Sequence, residues 1–274
     1  RLGDWLARQG RPEIICLSNA LLVGLVRELK QRLHRPVVCL LQDEDGFLEA
    51  LEEPYRTEAW RILAERAGEV DKFIAASEYY AELMGRKLKL APSRLAVVYQ
   101  GIELEGFHPG QRRRGPPTIG YLGRMCREKG LDKLAEAFVI LRGDQRRAQT
   151  RLRIAGGRTR SDEKFIQGIK RQLAAHGADE QVEFLEGFER PRRQEFLRSL
   201  DVLCVPERQG ESSGRYVLEA WACGVPVVQP SVGVFPELLE ATGAGILVSA
   251  AAEPEELAEA LARLLSNPEE ARAL

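Results

Sequence analysis

The stretch Pro206-Glu207-Arg208-Gln209-Gly210-Glu211-Ser212-Ser213-Gly214-Arg215-Tyr216-Val217-Leu218-Glu219-Ala220 runs on to Gly224-Val225-Pro226-Val227-Val228, and it reads as a loop-to-helix turn between two strands. An apolar strand (202–205) leads into the polar loop, and a helix follows from about Gly214 to Cys223. Gly224 can supply the left-handed turn that ends the helix. Ser212 and Ser213 are candidate N-caps. The N–H groups of Gly214, Arg215 and Tyr216 then point at an anion site. The helix dipole and the Arg215 side chain favour a phosphate there. Glu219 lies farther in, where a carboxylate repels phosphate but accepts from sugar hydroxyls. An anion site beside hydroxyl acceptors suits a nucleotide diphosphate sugar. The spacing alone equally fits a buried helix with two solvated glutamates, Glu211 and Glu219.

Working outward, apolar runs alternate with amphipathic helical patterns along the whole chain. Before the linker, strands are expected at 13–17, 36–41, 71–77 and 94–99, with helices at 20–33, 55–68 and 78–89. Asn19 and Ser77 are expected to cap two of these helices. After it, strands are expected at 118–122, 152–155, 182–185, 225–228 and 245–248, with helices at 130–142, 161–176, 189–199, 236–242 and 253–265. Such alternation implies parallel strands with helical crossovers. Between Gln100 and Pro117 the pattern breaks into glycines and prolines around Gln111-Arg112-Arg113-Arg114, a linker by composition. The division expected is residues 1–104, a linker at 105–117, and 118–274. The fold class is α/β with two Rossmann-like parallel-sheet domains, and a cleft is expected at the carboxyl ends of their strands.

The chain has 274 residues and a net charge of -1, with a pI of about 6.5. No strong pull toward nucleic acid or acidic lipid follows. Five cysteines are scattered, none in a C-x-x-C pair. Cys16, Cys39 and Cys204 fall in apolar strand-like runs, which suits reduced core thiols in a cytoplasmic protein. Three histidines, His34, His108 and His176, lie far apart and suggest neither a metal site nor a triad. The chain opens on Arg1 and stops inside a helical pattern, as expected of a fragment.

The second block opens with Gly120-Tyr121-Leu122-Gly123-Arg124-Met125-Cys126-Arg127-Glu128-Lys129-Gly130. Arg124 and Lys129 follow its first strand, and Gly130 opens the next helix. If the loop folds over the cleft, both cations reach one diphosphate. A surface loop of alternating charge fits the same residues.

These segments resemble those of the family 4 glycosyltransferases of the GT-B fold. Gly123-Arg124 with Glu128-Lys129-Gly130 is similar to the family's "GR…EKG" segment. Glu211 and Glu219 are similar to its E-x7-E pair, and the run 218–228 to its "lEAmAcGvPVV". Gly101-Ile102-Glu103 through Phe107 and Pro109 resembles its "nGiD…F.P" linker, and Phe235-Pro236-Glu237 with Gly243-Ala244-Gly245 its close. The resemblance covers nearly the whole chain. It implies a retaining, metal-independent hexosyltransferase with no cofactor, acting on a UDP- or GDP-sugar and a saccharide or lipid-linked acceptor. Carried over by position, Arg124 and Lys129 bind the donor diphosphate. Glu219 holds the ribose hydroxyls and Glu211 a hydroxyl of the transferred sugar. The N–H groups at Ser213, Gly214 and Arg215 meet the distal phosphate, and Gly187 and Phe188 lie near the base. A cytoplasmic location follows, with peripheral association at the inner membrane face where the acceptor is lipid-linked, and no nucleic-acid partner.

The sequence departs from that family in several places. Gln42 stands where the strand at 36–41 usually ends in a His beside the donor sugar. It is a candidate sugar contact that cannot act as a general base near neutral pH. Arg215 replaces the usual apolar residue after the loop glycine. The family's first strand, its glycine-rich loop and its closing helix have no counterpart here, so an incomplete first domain with an uncovered sheet edge is expected. Asp43-Glu44-Asp45 resembles a D-x-D metal motif of another glycosyltransferase fold, but a solvated turn or an acceptor contact fits better. A nucleotide-sugar epimerase on the same fold, or a non-catalytic two-lobed sugar-binding protein, are the alternatives.

Overall fold

The structure, a computed structural model, describes residues 2–9, 12–110, 115–185 and 189–267. It divides into two compact units. The first holds residues 1–100 together with Glu211–Ser213, and the second holds Gly101–Gly210 and 214–274.

The first unit runs α1 (Leu2–Gln9), β1 (Ile15–Leu17), a 3-10 turn over Ala20–Leu25, α2 (Val26–Leu33), β2 (Val37–Leu41), α3 (Glu44–Glu49), α4 (Tyr55–Ala67), β3 (Lys72–Ala75), α5 (Glu78–Leu88) and β4 (Leu95–Val97). Its sheet is parallel, in the order β1-β2-β3-β4. Val37, Cys39 and Leu41 of β2 are buried while Val38 and Leu40 are half-buried, so β2 is less completely enclosed than an all-apolar run suggests. Phe73, Ala75, Tyr80 and Met84 complete the centre of this core. Asn19 caps as expected, accepting from the Leu21 N–H at 3.0 Å. The helix it opens begins as a 3-10 turn and becomes α-helical only at Val26. Ser77 caps α5 by accepting from the Tyr80 N–H at 3.2 Å.

The second unit runs β5 (Thr118–Leu122), α6 (Leu131–Arg142), β6 (Arg151–Ala155), α7 (Glu163–Ala175), β7 (Val182–Leu185), α8 (Arg190–Arg198), β8 (Val202–Cys204), α9 (Arg215–Ala222), β9 (Val227–Pro230), α10 (Phe235–Thr242), β10 (Gly245–Val248) and α11 (Pro254–Ser266). All its strand pairs are parallel, in the order β10-β9-β8-β5-β6-β7. Helices cover both faces, because the central strands β5 and β8 are buried and apolar on both. Ile119 and Tyr121 of β5 and Val202 and Cys204 of β8 pack with α6, α7 and α11. Leu122 and Leu203, one residue out of phase, pack with α8, α9 and α10.

Residues 103–108 lie along α8. Arg190, Gln194 and Arg198 are spaced four apart and share one helix face. Arg190 donates to the carbonyls of Glu103 (3.1 Å) and Glu105 (3.0 Å), Gln194 to Glu105 (2.8 Å), and Arg198 to Gly106 (3.0 Å). Phe107, only 9% exposed, joins the core beneath.

Candidate active site

In the second unit the chain moves outward from β5 through β6 to β7, then returns to lay β8, β9 and β10 on the other side of β5. The switch point is therefore between β5 and β8, where open parallel sheets take their ligands at the carboxyl ends of the strands. Two loops leave those ends, 123–130 from β5 and 205–214 from β8. They are fastened to one another. The Arg208 N–H donates to the Glu128 carbonyl at 2.9 Å, and the Arg208 guanidinium grips both carboxylate oxygens of Asp132 at 2.8 Å. Lys129 Nζ is ion-paired with Glu207, whose side chain is buried. Gly130 allows this approach. It sits at φ 70°, and a Cβ there would lie 1.8 Å from the Pro206 carbonyl oxygen.

The β5 loop is fastened as closely to the loop after β6. The Met125 N–H donates to the Gly157 carbonyl at 2.9 Å, and the Tyr121 hydroxyl donates to the Arg124 carbonyl at 2.6 Å. At Gly156 a Cβ would come within 1.7 Å of the Gly123 carbonyl oxygen. Arg124 then meets Asp162 through two bonds, Nε to Oδ2 at 3.0 Å and Nη2 to Oδ1 at 2.9 Å. Asp162 is itself fixed in a capping box with Thr159. The Arg124 guanidinium holds the Asp162 carboxyl down at about 2, and Asp162 in turn raises the pKa of Arg124. With 51% of its side chain exposed, Arg124 is a clamped cation that still faces solvent.

The third element is the start of α9, and here the capping expectation needs correction. Neither Ser212 nor Ser213 is the N-cap; Gly214 is, at φ 61° and without a capping side chain. The Ser212 N–H is already taken by Asp43 Oδ1 at 2.8 Å, and its carbonyl accepts from Ser77 Oγ at 2.7 Å, both within the first unit. A Cβ at Gly214 would also press on Leu238 at 2.7 Å. The helix's own ladder begins with the N–H groups of Val217 and Leu218, both donating to the Gly214 carbonyl. α6 starts the same way, on Gly130 in the left-handed region with no side-chain cap. Glu219 is 2% exposed, so it is not a solvated glutamate. Its Oε1 accepts from Arg215 Nε at 3.1 Å, and its Oε2 faces Arg193 Nε of α8 at 3.1 Å.

Of the residues singled out in the sequence, the second unit thus carries Arg124 and Lys129 on the β5 loop, Gly214 and Arg215 at the start of α9, and Glu219 one turn inside it. Gln42, Glu211 and Ser213 belong to the first unit. Gly187 and Phe188 lie outside the described residues. The acidic run after β2 is not a solvated turn. Glu44 is 3% exposed and accepts from the Ala20 N–H (2.6 Å), the Gln42 N–H (2.8 Å) and the Tyr80 hydroxyl (2.9 Å). Among the described residues no group of three or more His, Cys, Asp or Glu could hold a metal ion. Cys39, Cys126, Cys204 and Cys223 are buried free thiols, but Cys16 is exposed, because its strand position turns away from the core. Three partners escaped the sequence reading: Asp162, Glu207 and Arg193. Only Asp162 had a local signal, the Thr159-x-x-Asp162 spacing of a capping box.

The family model described as glycosyl transferases group 1 matches residues 106–274. This chain belongs to the group 1 glycosyl transferases. A second model, Glycosyltransferase Family 4, matches residues 1–105 of this group 1 chain. Over 209 residues it is 30% identical to a D-inositol 3-phosphate glycosyltransferase of Catenulispora acidiphila, covering 72% of this chain and 48% of that protein. The chain spans about half the length of the curated relatives it matches. Among solved structures it resembles sucrose-phosphate synthase from Thermosynechococcus elongatus (TM-score 0.82, 21% identity, 98% of this chain and 68% of that one). It also resembles the Anabaena protein HepE solved with UDP and glucose (TM-score 0.76, 19% identity, 99% and 76%). The two parallel-sheet α/β domains are those of the GT-B glycosyltransferase fold. A switch point lined by clamped cations and an uncapped helix start can receive a phosphorylated ligand, and a buried carboxylate beside it can accept from hydroxyls.

Proposed function

We propose that this chain acts in a retaining glycosyltransferase that moves a hexose-type sugar from a UDP- or GDP-sugar to a saccharide or lipid-linked acceptor. The observation that carries the reading is the pair of loops at the β5–β8 switch point, with Arg124 and Lys129 each fixed by a carboxylate beside a helix start that lacks a side-chain cap. Departure of a nucleotide diphosphate builds negative charge on its distal phosphate. Preorganised cations and backbone N–H groups stabilise such charge without reorganising as it develops. Arg124 and Lys129 would meet the diphosphate, and the N–H groups of Ser213, Gly214 and Arg215 its distal phosphate. Glu219 would hold the ribose, and Glu211 a hydroxyl of the transferred sugar. Gln42 would contact that sugar, and Gly187 and Phe188 the base. The departing phosphate takes the acceptor proton, so the reaction needs neither a strong protein base nor a metal. The enzyme would work in the cytoplasm, at the inner membrane face when its acceptor is lipid-linked. Among the described residues no helix is long and apolar enough to cross a membrane.

Calorimetry with UDP, GDP and the matching monophosphates tests the reading. Wild type should bind a diphosphate more tightly than its monophosphate. Lys129→Ala should remove about 1.5–3 kcal/mol from diphosphate binding and much less from monophosphate binding, as expected for a charge-assisted contact to the distal phosphate. Equal losses for the two ligands would move Lys129 away from that phosphate.

A further inference from the structure

Glu219 is not held by its own helix alone. It is almost fully buried, and each carboxylate oxygen faces a guanidinium. The two arginines differ. Arg215 stands one turn earlier on α9, and 56% of its side chain is exposed; Arg193 comes from α8, with 20% exposed. Burying a carboxylate costs less where cations take the place of the water it has lost. Water readily replaces a partner as exposed as Arg215, but it reaches the Arg193 side far less. The Arg193 Nε–H is buried and has no aligned hydrogen-bond acceptor, although Glu219 Oε2 is 3.1 Å away. The contact is thus an ion pair without an aligned N–H···O bond, which anchors Oε2 toward α8 and leaves that oxygen able to accept from a hydroxyl.

We propose that Arg193 is a positioning residue. From the neighbouring helix it holds Oε2 of Glu219 so that the carboxylate presents itself to a pair of vicinal hydroxyls, those of a nucleotide ribose, when Arg215 gives way. The inference rests on the donor-site reading above. It adds that discrimination between ribose and deoxyribose is set by a residue on α8 that never touches the sugar.

The test compares UDP and GDP with their 2′-deoxy counterparts, by calorimetry on the full chain. Wild type should bind the preferred ribonucleotide roughly tenfold more tightly than its deoxy form, the order expected for one hydrogen bond to a charged group. Arg193→Met should shrink that ratio to about twofold or less, chiefly by weakening the ribonucleotide. Arg193→Lys, which keeps the charge, should restore most of the ratio. In the Glu219→Gln background, Arg193→Met should change the ratio no further. If Arg193→Met folds poorly, Arg193→Gln, which still offers Glu219 a hydrogen-bond donor but no charge, takes its place and should likewise shrink the ratio; a folded Gln variant with the wild-type ratio overturns the proposal. A folded Arg193→Met protein with an undiminished ratio overturns the proposal. So does an equal fall for ribo and deoxy ligands that lysine does not rescue, which marks a purely structural role. Failure of wild type to bind either UDP or GDP instead withdraws the donor-site reading, and this proposal with it.

Discussion

Asp162 shows how one carboxylate can hold a cation in place while its own charge is stabilised. Its carboxyl is held at about 2, well below the ordinary 3.8, first by the hydrogen bonds from Arg124. A lowered pKa adds stability that is fully present above 3.8 and is lost as pH falls through 2. Asp162→Asn keeps the shape and one acceptor but removes the charge. At neutral pH it should destabilise by about 1–2 kcal/mol, a drop of roughly 2–8 °C in melting midpoint. The gap from wild type should narrow as pH falls from 4 toward 2, and thermal melts across that range would reveal it; a gap constant down to pH 2 would place the stabilisation elsewhere. The residue types of the site were readable because cations, glycines and carboxylates sit in short recognisable runs. Their partners were not, because Asp162 lies 38 residues from Arg124 and Glu207 lies 78 from Lys129. The register of the sheet decides which loops meet, and a linear pattern carries no record of it.

At the scale of elements, the site depends on loops that approach closer than a side chain permits. Gly177, at φ 59° with open space around it, separates this effect from backbone strain alone. Gly177→Ala should cost about 1 kcal/mol, the left-handed penalty. Gly130→Ala suffers the same penalty and also drives a Cβ into the Pro206 carbonyl, so about 2–4 kcal/mol is expected. Unfolding midpoints of the two variants measure the difference, and equal losses would show that the loop yields freely. Most strands were legible here, since short apolar runs between turn signals mark buried parallel strands. Their ends were less so: β9 ends on Pro230, two residues beyond the expected limit. α3 was missed outright. Its first turn carries Glu44 and Asp45, which read as solvated charge, whereas Glu44 is buried by donors from two other parts of the unit.

For the molecule as a whole, the second unit has its own two core clusters and carries Arg124, Lys129, Gly214 and Glu219. A fragment starting at Gly101 should therefore fold alone and bind nucleotide diphosphate weakly. Circular dichroism and calorimetry would check this, and a well-folded fragment that binds nothing at millimolar ligand would refute it. The composition break between Gln100 and Pro117 suggests starting instead at Thr118. That choice would remove Phe107 from its core and leave Arg190, Gln194 and Arg198 without the carbonyls they hold. What looks like spacer is thus a strap buckled onto α8. Anyone wishing to lengthen this protein, tether a probe to it or splice a foreign domain into it should leave 103–108 whole, because extra residues there would unbuckle the helix that also carries Arg193.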